Sequence, residues 1–184
     1  MKRVYLIRHT LPDFPEGERM CLGRTDLPLG SEGRAQAAAM AKTLPPVTRV
    51  YSSPLRRAVE TARAIGEPVL LEDLQELSAG AWDGLTFRQI RERYPELYAA
   101  RGTDKTLPLP GGEPDEKGLA RFLRAMTQAA EDAPGDFAVV AHGGVIRLFL
   151  NHLSPPGWKP GYGEVISLLW ENGIFTLQED KNHA

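Results

Sequence analysis

The chain predicts an α/β fold, a three-layer α/β/α sandwich around a mostly parallel central sheet, and three observations carry that expectation. Short strand-like segments at residues 4–7, 47–51 and 137–141 alternate with stretches of helical period, the pattern of successive βαβ units. Two of those runs lead into a histidine, as Arg8-His9 and as Ala141-His142, so polar chemistry is delivered to a strand terminus instead of a strand face. At 184 residues the chain has the length of one core, and the expectation is a single domain over residues 1–184.

Val4-Tyr5-Leu6-Ile7 is the first strand. Residues 11–29 then carry Pro12, Pro15, Gly17, Gly23 and Pro28 without any period and read as a long loop, a kind of segment that in compact domains is usually functional. Ser31 is placed to cap a helix whose Ala37, Met40, Ala41 and Leu44 recur at helical spacing as far as Pro45-Pro46. A strand over 47–51 runs into Ser52-Ser53-Pro54 and a helix over 55–65, with Pro54 in its first turn. Residues 69–71 read as a short strand and 74–83 as a loop. A helix over 87–98 is interrupted at Pro95, and 103–114 is a proline- and glycine-rich connector. Leu119, Phe122, Leu123, Met126 and Ala130 form the apolar stripe of an amphipathic helix. A strand over 137–141, a helix through 153 and a hairpin of 165–170 and 174–177, turned at Glu171-Asn172-Gly173, follow. The tail 181–184 is expected to be loose.

Composition narrows the function classes. The 22 Lys and Arg are interspersed with 24 Asp and Glu for a formal net charge of -2, which leaves no positive field to hold nucleic acid. No apolar run approaches the roughly 18 residues that suggest a membrane span. Only four apolar residues separate Met1-Lys2-Arg3 from Arg8, short of the roughly seven to fifteen of a signal-peptide core. Cys21, the single cysteine, has no partner for an internal disulfide. The expectation is a cytoplasmic protein, monomer or homodimer, with neither membrane nor nucleic acid as partner. Four histidines without close spacing argue against a metal site, and no cofactor is expected. Leu27 stands where a cysteine phosphatase built on Cys21 would need arginine. An Asp-x-Asp pair, a Gly-x-Ser-x-Gly elbow and a Walker loop are all absent from the sequence.

What remains is an anion site. In open α/β sheets ligands bind beyond the carboxyl ends of strands, where helix N-termini present N–H groups to anions. His9 and His142 stand at two such ends, Arg8 accompanies the first, and Gly143 opens the helix after the second. Of Arg56 and Arg57 only one can enter a given site, because helix neighbours face about 100° apart. Glu76 offers a carboxyl, and Arg24, in the long loop, can reach a substrate or phosphate group. Two imidazoles, several guanidiniums and one acid suit phosphoryl transfer, in which positioning and cations around the equatorial oxygens dominate. A neutral imidazole can attack phosphorus, and a carboxyl can protonate the departing oxygen. The expected ligand is a small phosphorylated metabolite. His152 and His183 read as structural, and Trp82, Tyr94 and Tyr98 as packing.

Leu6-Ile7-Arg8-His9, Gly23-Arg24-Thr25-Asp26-Leu27-Pro28-Leu29, Ser53-Pro54-Leu55-Arg56-Arg57-Ala58-Val59-Glu60-Thr61-Ala62, Leu74-Gln75-Glu76 with Gly80 and Gly84, Gly111-Gly112-Glu113 and His142-Gly143-Gly144-Val145-Ile146-Arg147 resemble the successive motifs of the histidine phosphatase superfamily, in its phosphoglycerate mutase-like branch. Each piece alone is weak, but six in order along nearly the whole chain are specific. The resemblance implies a phosphoglycerate mutase-like fold, His9 as the nucleophile that becomes phosphorylated, and Glu76 as proton donor. It also implies Arg8, Arg57 and His142 as the rest of the phosphate pocket, and it selects Arg57 over Arg56.

There are departures from the family pattern. Thr10 stands where family members usually have glycine, and Leu11-Pro12-Asp13-Phe14-Pro15 lacks their asparagine. Pro114 replaces the serine that often follows Gly-Gly-Glu. A β-branched Thr10 resists positive φ, so this loop is expected to take a different shape while its carbonyl stays available to the His9 ring. Among small members the chain most resembles α-ribazole phosphatases, which implies a nucleotide-like 5′-phosphate as substrate. The rivals are a phosphoglycerate mutase, whose members are longer, and a phospho-ligand binding module without catalysis, a descent that typically loses the nucleophile or the acid.

Overall fold

In the computed structural model of the chain, which describes residues 1–178, the first strand, β1 (Lys2–Arg8), alternates its apolar side chains between two cores. Val4 and Leu6 enter one, Tyr5 and Ile7 the other. A strand buried on both faces needs a helical layer on each. Helices α1 (Ser31–Thr43) and α2 (Arg56–Arg63) cover the Tyr5 and Ile7 face through Met40, Ala58 and Ala62. On the opposite face α5 (Asp115–Asp132) and α6 (Gly143–Leu153) bring Phe122, Met126, Ile146 and Phe149 against Val4 and Leu6. The expected three-layer sandwich is the observed one.

The sheet order is β3 (Val69–Leu70), β2 (Arg49–Ser52), β4 (Phe137–Ala141), β1, β5 (Val165–Glu171), β6 (Ile174–Leu177). The first four are parallel, whereas β5 runs antiparallel to β1 and to β6. The β5–β6 turn places Asn172 at φ 52° and Gly173 at φ 80°, the left-handed pair a tight hairpin requires. A satellite core of Ala79, Trp82 and Ile90 lies under α3 (Phe87–Arg93) and α4 (Pro95–Thr103).

Several local expectations differ from the structure. Ser31 is the first helical residue and offers no side-chain cap; Gly30 holds the cap position. Pro54 precedes the Leu55 cap of α2 instead of lying in its first turn, and the Arg56 N–H donates to Asp26 Oδ1 at 2.7 Å. Pro95 does more than interrupt a helix: it is the first residue of α4, which runs on to Thr103. The 74–83 loop carries a single-turn 3₁₀ segment at Gly80–Trp82. Strand β2 begins at Arg49, two residues later than the expected strand over 47–51. The tail 181–184 and His183 lie outside the described residues. No helix among those described is long and apolar enough to cross a membrane.

The carboxyl ends of β1, β4 and β2 are in register side by side. The His9 N–H donates to the Ala141 carbonyl and the Ser53 N–H to the Val140 carbonyl, each at 3.0 Å, so the three following loops leave the sheet together.

Candidate active site

His9 leaves β1 directly into this edge and is 4% exposed. Its Nδ1 lies 2.8 Å from the Thr10 carbonyl, which can only accept, so the ring proton sits on Nδ1 and Nε2 carries the free lone pair. Burial, then the positive field of Arg57 and Arg8, holds its pKa well below the usual histidine value, against the raising effect of the Thr10 bond. A neutral imidazole with an open Nε2 is the nucleophilic form. Thr10 meets the steric expectation: it is not among the residues at positive φ, and its N–H donates to Thr61 Oγ1 at 3.1 Å.

The His142 ring centroid stands 5.1 Å from that of His9. His142 Nε2 is 2.7 Å from Ser53 Oγ, and that hydroxyl already accepts from the Leu55 N–H. The serine hydrogen is free to point at Nε2, and in that arrangement the ring proton of His142 sits on Nδ1. Burial, then Arg57, lowers this pKa as well.

Arg57 is 1% exposed and clamped from the long loop, donating to the Thr25 carbonyl at 2.9 Å and the Gly23 carbonyl at 3.0 Å. That loop is itself held by one carboxylate. Asp83 accepts the backbone N–H groups of Gly23, Arg24 and Thr25 at 2.9, 2.7 and 3.2 Å, which draws its pKa down against burial. Arg8 donates to the Pro160 carbonyl at 2.7 Å and lies 3.9 Å over the Tyr162 ring. Tyr162 also packs against His9, with centroids 5.6 Å apart. It arrives because β5 pairs Val165 with Ile7, so the residues before β5 must pass the end of β1.

Glu76 is carried by the segment after β3. Oε1 accepts the N–H groups of Leu77 at 2.8 Å and Val145 at 3.1 Å, and Oε2 accepts that of Gly144 at 2.8 Å. Both lone pairs of Oε1 are used and one of Oε2 remains, so Oε2 is the atom that can exchange a proton. The approach is close because residue 144 is glycine: a Cβ there would stand 2.5 Å from Oε1. Arg121, 8% exposed on α5, fixes the segment. It donates to the carbonyls of Asp73, Gln75 and Glu76 and forms a bidentate pair with Glu113 at 2.7 and 2.8 Å. The Gly-Gly-Glu motif thus acts through Arg121.

The structure brings together Arg8, His9, Arg57, Glu76, His142 and Gly143. Arg24 is not in that group: its guanidinium pairs with Gln75 and lies 3.7 Å from Glu113. Pro15 opens an exposed 3₁₀ turn, Pro15–Gly17, and lines none of the cavities described below. Tyr162, Asp83 and Arg121 were missed in the sequence. The Gly161-Tyr162-Gly163 run before a strand and the Trp82-Asp83-Gly84 turn were available signals; Arg121 gave none, as one cation on an amphipathic helix.

Glu76 borders three adjoining cavities. About 250 Å³ opens beside Arg8, His9 and Tyr162, about 930 Å³ beside Gly143, Lys105 and Arg147, and about 450 Å³ beside Gly144, Arg101 and Arg147. Cys21 borders the first and third, but burial pushes its thiol up to about 11, so it stays protonated.

Comparison with known proteins agrees with this geometry. The family model described as histidine phosphatase superfamily (branch 1) matches residues 4–177. Glucosyl-3-phosphoglycerate phosphatase of Mycobacterium tuberculosis is 36% identical over 92% of this chain and 83% of its own. The structure of the mycobacterial enzyme complexed with VO3 superposes with a TM-score of 0.84 at 29% identity, covering 97% of this chain and 98% of that one. The α-ribazole phosphatase of Shigella flexneri shares the fold, with a TM-score of 0.79 at 23% identity over 96% and 94% of the two chains. The chain also matches the bifunctional protein Rv2228c of Mycobacterium tuberculosis at 34% identity, spanning 42% of its length.

Proposed function

Because the chain belongs to branch 1 of the histidine phosphatase superfamily, we propose that it hydrolyses small phosphomonoesters through a phosphohistidine on His9. One observation carries the reading. Four buried side-chain nitrogens lack a hydrogen-bond partner among the described residues; one, Trp82 Nε1, lies in the satellite core, and the other three, Arg8 Nε, Arg57 Nε and His142 Nδ1, belong to the residues grouped with His9, whose Nε2 is open. Buried polar atoms rarely go unpaired in native proteins, and two guanidinium N–H groups with an imidazole nitrogen in the residues beside one nucleophile suit the oxygens of a phosphoryl group.

His9 Nε2 attacks phosphorus, and the P–O bond to the leaving group breaks as the P–N bond forms. The departing oxygen takes a proton from Glu76 Oε2. Glu76, now a carboxylate, removes a proton from water, whose oxygen attacks phosphorus; the P–N electrons return to His9 and inorganic phosphate leaves. No step uses a metal ion, so turnover should survive a chelator. The cytoplasmic, single-domain reading belongs to the same proposal.

Two substrate classes are open to this machinery. A nucleotide-like 5′-phosphate such as α-ribazole 5′-phosphate fits the short chain, although likeness to the Shigella enzyme at 23% identity extends to the fold alone. The 36% identity to glucosyl-3-phosphoglycerate phosphatase favours a phosphorylated acid. Rapid quenching with labelled phosphoester should trap an acid-labile label on His9, and product analysis should find inorganic phosphate instead of an isomerised ester. A label on Cys21, or on no residue, would overturn the mechanism.

A further inference from the structure

The turn that precedes β5 is built to present one ring. In Gly161-Tyr162-Gly163-Glu164 the Glu164 N–H returns to the Gly161 carbonyl at 3.2 Å, and positive φ occurs at Gly163, 72°, but not at Tyr162. That is the pattern of a type II turn, with glycine at its third position and Tyr162 at the corner before it. The turn is docked on the end of β1. The Gly163 N–H donates to the Arg8 carbonyl at 3.0 Å and approaches that of His9 at 3.3 Å, while the Arg8 N–H donates to the Glu164 carbonyl at 3.2 Å. Gly163 also makes room for Thr10, since a Cβ at residue 163 would stand 3.2 Å from Thr10 Cγ2. The β-branched residue after His9 and the glycine after Tyr162 therefore fit one another.

Docked in this way, residues 160–162 hold Arg8 by an edge and by a face. The Pro160 carbonyl accepts from Nη1 at 2.7 Å, and the Tyr162 ring lies beneath the guanidinium, with Cζ 3.9 Å from its centroid. Both residues are half-buried, and a cation–π pair sheltered from water is stronger than an exposed one. A second guanidinium, that of the exposed Arg19, stands farther off at 5.8 Å. The same ring packs against His9 and borders the 250 Å³ cavity at the nucleophile. An arginine free to turn about its long side chain spreads its N–H groups over many directions. One held by a face keeps its in-plane donors, the unpaired Nε among them, in a fixed fork for phosphoryl oxygens.

We propose that Tyr162 is a positioning residue whose ring, and not its hydroxyl, fixes the plane of the Arg8 guanidinium beside His9. This rests on the phosphatase reading above and adds a member to its machinery. Arg8 and His9 both meet the ring of Tyr162, which is why the face and not the oxygen is assigned the work.

The test uses Tyr162→Leu, which stays apolar without a π face; Tyr162→Phe, which keeps the face without the hydroxyl; and Tyr162→Phe with the introduced ring pentafluorinated, which keeps the shape without the negative face. Every ester shares the phosphoryl group, so Tyr162→Leu should lower kcat/KM roughly tenfold on glycerol 3-phosphate and on p-nitrophenyl phosphate alike, the scale of a cation–π contact withdrawn from water. The Kd of inorganic phosphate, read by calorimetry, should weaken by a similar factor. Tyr162→Phe should stay close to wild type. The fluorinated ring should fall with Tyr162→Leu, and because it fills the same space it decides the matter even where Tyr162→Leu does not fold. In an Arg8→Ala background the phosphate Kd should no longer respond to Tyr162→Leu. A loss in Tyr162→Phe as deep as in Tyr162→Leu would transfer the role to the hydroxyl and overturn the proposal. So would a fluorinated ring that matches Tyr162→Phe, or an undiminished effect without Arg8. Ester hydrolysis that Tyr162→Leu leaves unchanged sinks the positioning role and keeps the phosphatase. The expected Kd pattern in a wild type that hydrolyses no ester does the reverse.

Discussion

Gly144→Ala moves the acid without deleting it. The added Cβ would lie 2.5 Å from Glu76 Oε1, 3.0 Å from its Cδ and 3.2 Å from Oε2. Ordinary contact begins at 3.4 Å, so the carboxyl must retreat by about 0.9 Å, the difference between 3.4 and 2.5 Å. A displacement of about 1 Å can cost on the order of 10²-fold in rate. Stability should fall by about 1 kcal/mol, the balance of two opposing terms. Alanine gains up to about 1 kcal/mol over glycine in a helix, while loosening the N–H bonds of Gly144 and Val145 to Glu76 costs about 1 kcal/mol each. The rate loss should depend on the leaving group. An alkoxide needs its proton as the bond breaks, whereas p-nitrophenolate hardly does. Gly144→Ala should therefore lose about 10²-fold in kcat on glycerol 3-phosphate but retain a fast burst with p-nitrophenyl phosphate, followed by slow dephosphorylation. Gly143→Ala supplies the contrast, since its Cβ would press on Arg8 Nε at 3.0 Å and so disturb both esters alike. If Gly144→Ala slowed both burst phases equally, or changed neither, Glu76 would not be the proton donor.

Three further outcomes are expected. Arg57→Ala should lose on the order of 10² more activity than Arg56→Ala, because Arg57 is buried at His9 while the Arg56 side chain is 58% exposed and pairs with Glu60; equal losses, with folding checked by circular dichroism, would refute the assignment. Asp83→Asn leaves one oxygen for three backbone N–H groups and frees the carbonyls that hold Arg57, so it should lower kcat/KM by roughly tenfold. In that background Arg57→Ala should cost less than it does alone, and strict additivity would show the two residues to be independent. Both buried histidines have pKa values below 6.5, so beneath that pH the unfolded chain binds more protons than the folded one and stability falls as pH falls. Denaturation between pH 6.5 and 5 should show a slope of up to about 1.4 kcal/mol per unit for each histidine, roughly halved in His9→Gln; an unchanged slope would refute it.

Local features made much of the fold readable. The apolar runs of β1 and β4 are continuous because helices cover both sides of the sheet, and Asn172-Gly173 announces its own turn. His9 and His142 were visible because strand ends carry them. Residues whose roles depend on distant partners were hidden. Arg121 belongs to a helix whose period reports an apolar stripe, yet its guanidinium reaches across 45 to 48 positions to three carbonyls. Tyr162 matters only because β5 runs antiparallel to β1, a pairing over 158 to 168 positions that no local pattern encodes. Arg24 illustrates the converse. Its place in the long loop makes a phosphate contact readable from sequence, whereas in the fold its guanidinium lies with Gln75 and 3.7 Å from Glu113, partners that no local pattern announces.

The first strand also has to wait. β1 pairs only with β4 and β5, so nothing before Phe137 offers it a sheet partner. Synthesis at about 5–20 residues per second leaves Val4-Tyr5-Leu6-Ile7 on the order of ten seconds ahead of its neighbours. During that interval a four-residue apolar segment of high strand propensity is exposed beside Lys2, Arg3 and Arg8, flanking charges that oppose edge-to-edge association. Because β1 carries the proposed nucleophile, the chain is not expected to acquire chemistry piecemeal. His9 is among the first residues made, but it becomes buried only when strands from the far end of the chain close around it, and an interrupted translation product is expected to be inert toward phosphoesters.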